Sequence, residues 1–165
     1  MNNRSLTVSW DDPHASARAG ALLSGLDYLQ GMIAGRFPQP PMACLMGFDL
    51  VEAREGFAMF ECHPGEQHYN PIGVVHGGLA CTLLDSAMGC AVNSTLAAGV
   101  GHATLELKVN LVRAMTINTG LMRCEGRIVH GGSRTATAEG RLLDAAGKLY
   151  AHATTTCIIF PSSAT

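Results

Sequence analysis

The sequence predicts an α+β fold: a curved antiparallel β-sheet wrapped around one long central helix, with an extra helix at the N-terminus. Three observations carry that expectation. Residues from about Gly77 to Leu96 form a helical run that is apolar on nearly every side. A helix apolar all round has to be buried all round, and a sheet curving around it does that in two layers. Stretches of strand character flank the run, and turn residues separate them. The 165 residues suffice for one domain with a sizeable core. The expected division is 1–41 for the N-terminal helix and linker and 42–165 for the main domain.

The elements follow in order. Asp12-Pro13 is a helix start, with Asp as N-cap and Pro in the first turn. Leu22, Leu23, Leu26, Leu29 and Ile33 then recur at helical spacing, and Gly35 can end the run. Phe37-Pro-Gln-Pro-Pro41 reads as a linker or strap. Residues 45–53 and 57–62 read as strands, and 63–73 as a loop rich in Pro, Gly and polar groups. After the long helix, four strands are expected near 102–113, 119–130, 133–144 and 148–160, with turns at Gly131-Gly132 and Ala145-Ala146-Gly147. On the third of these, Ala136, Ala138 and Leu142 share one face, and Thr135, Thr137, Glu139 and Arg141 the other.

Composition narrows the partners. Hydrophobic residues make up 47% and charged residues only 15%, so part of the surface is expected to lie between subunits. A net charge of −2 argues against nucleic acid or an anionic membrane as partner. The six cysteines form no CxxC pair, so the usual zinc and redox spacings are missing. The polar stretch Met1–Asp12 has no signal-peptide core, and together these features point to a reducing cytoplasm. The apolar stretch Val74–Ala98 is long enough to span a membrane but carries Asp85, Asn93 and several Gly, Ser and Thr, so a span is not expected.

From Gly78 to Val92 the long helix has one ionisable group besides its cysteines, Asp85, and no cation lies one turn away in either direction. Burying an unpaired carboxylate costs several kcal/mol, about as much as a domain's net stability. Such a residue is either a polar anchor with a partner elsewhere or a functional group. His76-Gly77-Gly78 opens the same helix. Glycine lets a ligand approach the backbone, and the first N–H groups of a helix lack internal partners. They can donate to a developing oxyanion, or the motif can simply make a tight entry to the helix. Asp85 follows Gly77 by eight residues, about 12 Å along the axis. A base and an oxyanion donor both have to sit near one reacting centre, about 3 Å away. If both residues are catalytic, two helices from two chains must supply them, and symmetry makes two such sites.

The segment Asn70-Pro-Ile-Gly-Val-Val-His76-Gly-Gly-Leu-Ala-Cys-Thr-Leu-Leu-Asp85 resembles the hot-dog-fold thioesterases of the phenylacetate-pathway, or PaaI-like, type. The spacings from Asn to His-Gly-Gly and on to the acidic residue all match. Thr104-Leu-Glu-Leu-Lys-Val-Asn-Leu-Val-Arg-Ala114 resembles that family's next strand, with Ala114 where a Pro is usual. The resemblance runs from about Leu45 to Phe160, and the leading helix resembles an extension present in some members. It implies acyl-coenzyme A thioester hydrolysis, with Asp85 as general base or nucleophile and the Gly77 amide polarising the thioester carbonyl. Asn70 and His76 would orient the thioester or the loop, and Thr104 would help hold the attacking water. Asn70 and Gly77 would come from one subunit, Asp85 and Thr104 from the other.

For coenzyme A contacts the candidates are Gly78, Arg113, Lys108, Gly132 and Arg134, the last two on a turn that resembles a segment near the nucleotide. Coenzyme A would be part of the substrate. No cofactor or metal is expected, and the assembly would be a homodimer paired into a homotetramer. His63, His68, His102 and His152 have no motif partner and read as structural or surface residues. Two rivals remain. One is an acyl-coenzyme A-binding module that does not hydrolyse its ligand. The other is a hot-dog dehydratase, whose motif His63-Pro64-Gly65 matches only superficially: Gly77, not an acid, lies fourteen residues on.

Overall fold

A computed structural model describes residues 3–161. The chain forms helices α1 (Pro13–Gly20), α2 (Gly25–Ile33) and α3 (Pro41–Met46), then strands β1 (Phe48–Arg54) and β2 (Phe57–Cys62). The long helix α4 (Gly77–Asn93) follows, and then β3 (Val100–Leu111), β4 (Met122–Gly131), β5 (Thr135–Asp144) and β6 (Leu149–Pro161). All six strands pair antiparallel in one sheet, in the order β1-β2-β4-β5-β6-β3. The sheet wraps α4, as the sequence predicts.

The helix lies directly on the sheet because the sheet makes room for it. Gly126 on β4 faces the helix backbone so closely that a Cβ there would overlap the Ala87 carbonyl. Leu83, Leu84, Ala87, Met88 and Val92 are fully buried. Each large side chain among them stabilises the fold by about 1.5–3 kcal/mol. From the sheet, Ala136, Ala138 and Leu142 of β5 meet them, on the face assigned from their alternation.

Two expectations need correction. The N-terminal helix is two helices. Its apolar spacing runs straight across the break, but Ser24 caps a new start: its Oγ accepts the Asp27 N–H at 3.1 Å. Leu22, counted on the apolar stripe, is 77% exposed. The first strand, expected from residue 45, also starts later, at Phe48. Pro41 opens α3, a helix of six residues, where its missing N–H costs nothing, and Gly47 ends it at φ 65°. No helix among the described residues is long and apolar enough to cross a membrane.

Candidate active site

One stripe of α4 is not covered by its own chain. Cys81, Thr82, Asp85, Ser86, Cys90 and Asn93 are only half-buried, whereas the opposite side is sealed by the sheet. Asp85 stands in the middle of that stripe. It is met there by Thr104 near the start of β3, whose hydroxyl donates to Asp85 Oδ1 at 2.9 Å. This is the one hydrogen bond of the Asp85 side chain among the described residues, so its second oxygen is free to take another donor. The surroundings are thiols and one imidazole. Burial first, and then the Asp85 charge, pushes the Cys90 thiol up to about 12, so it stays protonated and is a poor nucleophile. Burial also raises Cys157 and lowers His102, the Asp85 charge opposing the shift at His102.

The other motif residues gather at the N-terminal end of α4. Asn70 Oδ1 accepts from Ile72 N–H at 3.1 Å and Val74 N–H at 3.2 Å, which folds the loop back on itself. The turn is anchored by His76 N–H to His68 O at 2.8 Å and Val75 N–H to Met115 O at 3.0 Å. His76 is the helix N-cap, its Nδ1 accepting the Gly78 N–H at 2.8 Å. That bond places the ring proton of neutral His76 on Nε2. It also occupies the Gly78 amide, so of the glycine pair only Gly77 keeps an N–H with no acceptor among the described residues. Gly77, Asn70 and Arg113 line one cavity of about 320 Å³, together with Leu111 and Met115.

The structure thus brings the predicted residues together as two groups, not one. Asp85 and Thr104 form a pair on the open stripe; Asn70, His76, Gly77 and Arg113 form a set at the helix start. The unbroken helix between them spans eight residues, about 12 Å. The phosphate-binding candidates are likewise divided. Arg113 follows the end of β3 and donates to Leu149 O at 3.3 Å. Gly132 and Arg134 lie on the β4–β5 hairpin, toward the Thr104 end of the sheet, where Thr135 pairs with Ile158 and Ile158 with Ala103. Lys108 is exposed on β3. Two residues near Asp85 were given no functional role from the sequence: Gly89, one turn after it on α4, and His102, read as a structural or surface residue, whose ring feels the Asp85 charge.

The chain's residues 72–151 match the model of the thioesterase superfamily. A candidate esterase of Saccharolobus solfataricus is 31% identical over 63% of this chain and 72% of its own length. Among solved structures, a candidate thioesterase of Ralstonia eutropha, described as a phenylacetic acid degradation-related protein, is 29% identical. It covers 79% of this chain and 98% of its own, with a TM-score of 0.72. A Streptococcus mutans protein solved bound to acetyl CoA is 26% identical, over 70% of this chain and 90% of its own, with a TM-score of 0.63. By sequence and by fold alike, this chain belongs to the thioesterase superfamily and has the hot-dog fold.

Proposed function

We propose that this thioesterase-family hydrolase cleaves acyl-coenzyme A thioesters to free acid and coenzyme A, at sites shared between two copies of the chain. The observation that carries the reading is the Thr104–Asp85 hydrogen bond on the open stripe of α4. It fixes one carboxylate oxygen and leaves the other for water or for the thioester carbon. The acetyl CoA bound to the S. mutans relative supports the substrate class.

The chemistry follows from the groups. Water bound by Asp85 attacks the thioester carbonyl as Asp85 takes its proton. The carbonyl oxygen gains charge and receives the Gly77 N–H of the second copy, backed by the positive end of α4. Collapse breaks the C–S bond, and the proton held by Asp85 goes to the departing sulfur. In the covalent variant Asp85 itself attacks the carbonyl carbon, the C–S bond breaks and the departing thiolate takes a proton from solvent, and water then cleaves the anhydride to the free acid and the restored Asp85 carboxylate. Asn70 holds the loop that aims Gly77. His76 caps the helix and keeps the Gly78 amide occupied. Arg113, Gly132 and Arg134 are the candidate coenzyme contacts, and Arg113 lies in the cavity beside Gly77.

Dimerisation is part of the reading. β3 is an edge strand, and its exposed run 103–106 includes Leu105, 60% exposed. A long open edge beside a half-covered helix stripe invites a second copy. Such dimers would pair again into a tetramer. Six free cysteines fit a reducing, cytoplasmic setting. Release of free thiol from a panel of acyl-coenzyme A esters tests the activity. Turnover is expected; saturable binding without release would instead favour the acyl-coenzyme A-binding module.

A further inference from the structure

Thr104 meets Asp85 only because β3 is irregular. Over the C-terminal part of the strand the odd-numbered residues face inward: Leu107 and Val109 pack against the core, while Lys108 is exposed on the other face. Carried back without interruption, that alternation would put Ala103 and Leu105 toward α4 and turn Thr104 away from it. The pairing with β6 breaks the alternation. Glu106 lies opposite Thr156, but Thr104 lies opposite Cys157, so two steps on β3 match one on β6. Leu105 is the extra residue of a β-bulge, and its side chain is exposed. Before the bulge it is the even-numbered residues that face α4. Thr104 reaches Asp85 Oδ1 at 2.9 Å, and His102 packs against the helix at Gly89.

A bulge disrupts the ladder locally, and a one-residue slip flips every side chain to the other face. β3 is an edge strand with one neighbour, β6, so that neighbour has to hold the bulge in place. One buried hydroxyl stands at the right point. Thr155 of β6 is 2% exposed, in an inward row with Ala151, Ala153 and Cys157. It lies opposite Leu107, and its Oγ1 reaches one residue back along β3 to donate to the Glu106 carbonyl oxygen at 2.6 Å. Glu106 is the first residue after the bulge. An aliphatic side chain would suit this row without a polar atom to bury, and the hydroxyl is tolerated there because it is hydrogen-bonded.

We propose that Thr155 is a positioning residue: its bond to Glu106 fixes the bulge at Leu105 and so keeps the Thr104 hydroxyl on Asp85. The proposal rests on the reading of Asp85 and Thr104 as the side-chain half of the reaction centre. Thr155 acts through the β3 backbone and makes no hydrogen bond to Asp85 among the described residues.

The test uses the full chain with Thr155→Val, Thr155→Ala and Thr155→Ser, and combines Thr155→Val with Thr104→Val. Crystal structures give the distance from Thr104 Oγ1 to Asp85 Oδ1. Free-thiol release from acyl-coenzyme A esters gives kcat and KM, and melting temperature and oligomer mass are taken on the same preparations. In the valine and alanine variants the Thr104–Asp85 distance should open beyond about 3.5 Å. Their kcat should fall by about fivefold to tenfold with KM unchanged, toward the level of Thr104→Val. Serine keeps the hydroxyl, so that variant should hold the contact and stay within about twofold of the wild-type kcat. In the Thr104→Val background, Thr155→Val should bring no further loss, because its effect passes through a hydroxyl already gone. A closed Thr104–Asp85 contact in both hydroxyl-free variants, or losses that multiply in the double variant, would overturn the positioning role and leave the hydrolase standing. Loss of folding in both hydroxyl-free variants would make Thr155 a stability residue and overturn the proposal as well. Absence of turnover in the wild type would overturn the hydrolase alone, and the crystallographic distances would still decide whether Thr155 holds the bulge.

Discussion

The two halves of the candidate site are made of different material. At the start of α4 the proposed working group is a backbone amide, Gly77 N–H, and the side chains around it shape the backbone: Asn70 folds the loop and His76 caps the helix. In the middle of α4 the proposed working group is a side chain, Asp85, held by one other, Thr104. A backbone donor survives most substitutions at its own position, because every residue but proline carries it. A carboxylate is lost with a single change. The first half should therefore yield only to changes that remove the N–H or refold the loop, and the second to any loss of charge.

The largest effect belongs to the side-chain half. Asp85→Asn is nearly isosteric and neutral, and its oxygen can still accept from Thr104. Melting temperature and oligomer mass should hold, while kcat falls by about 10²–10⁴-fold. A well-folded variant with near-normal kcat would return Asp85 to the role of polar anchor.

Next comes the backbone half. Gly77→Pro removes the N–H at the first helical position, the one place in a helix where proline is favoured. His76 before it is already extended, at φ −63° and ψ 136°, as a residue preceding proline must be. The added Cβ would meet only the flexible Leu111 side chain. The fold should persist and kcat should fall by about 10²–10³-fold, the usual cost of one oxyanion donor. Gly77→Ala, which keeps the N–H, should lose far less, and equal losses in the two variants would speak against an amide role.

Smaller effects sharpen the contrast. Thr104→Val keeps the shape and loses the hydroxyl, so kcat should drop about tenfold, the scale of one hydrogen bond to a charged group. Arg113→Ala should raise KM by about threefold to tenfold with kcat held, and the wild-type advantage should shrink as salt is added. A kcat effect without a KM effect would move Arg113 out of the coenzyme contacts.

How much of this was legible depended on whether the signal was local. The strands after α4 were readable because Gly131-Gly132 and Ala145-Ala146-Gly147 punctuate them and β5 alternates cleanly. The long helix was readable because it holds a single carboxylate in an apolar run. The break between α1 and α2 was missed, although Ser24 and Asp27 carry a capping signal, because the leucine spacing runs through it. The burial of α4 was overread: the stripe around Asp85 is open in one chain, since sequence periodicity does not say which copy covers a face. Asp85, Gly77 and Asn70 stood out through their spacing. His102 and Thr155 did not, because they reach α4 and the β3 bulge only where β3, β6 and α4 come together.

The central claim is that one site is assembled from two chains, and subunit mixing tests it most directly. Asp85→Asn and Gly77→Pro are each nearly inactive alone under this account. Co-expressed with different tags and purified together, they form mixed dimers in which one site has both mutations and the other has neither. A randomly assorted mixture should therefore recover about a quarter of wild-type kcat, and isolated mixed dimers about half. Activity no greater than the sum of the two parents, in mixed dimers of verified mass and melting temperature, would contradict the shared site.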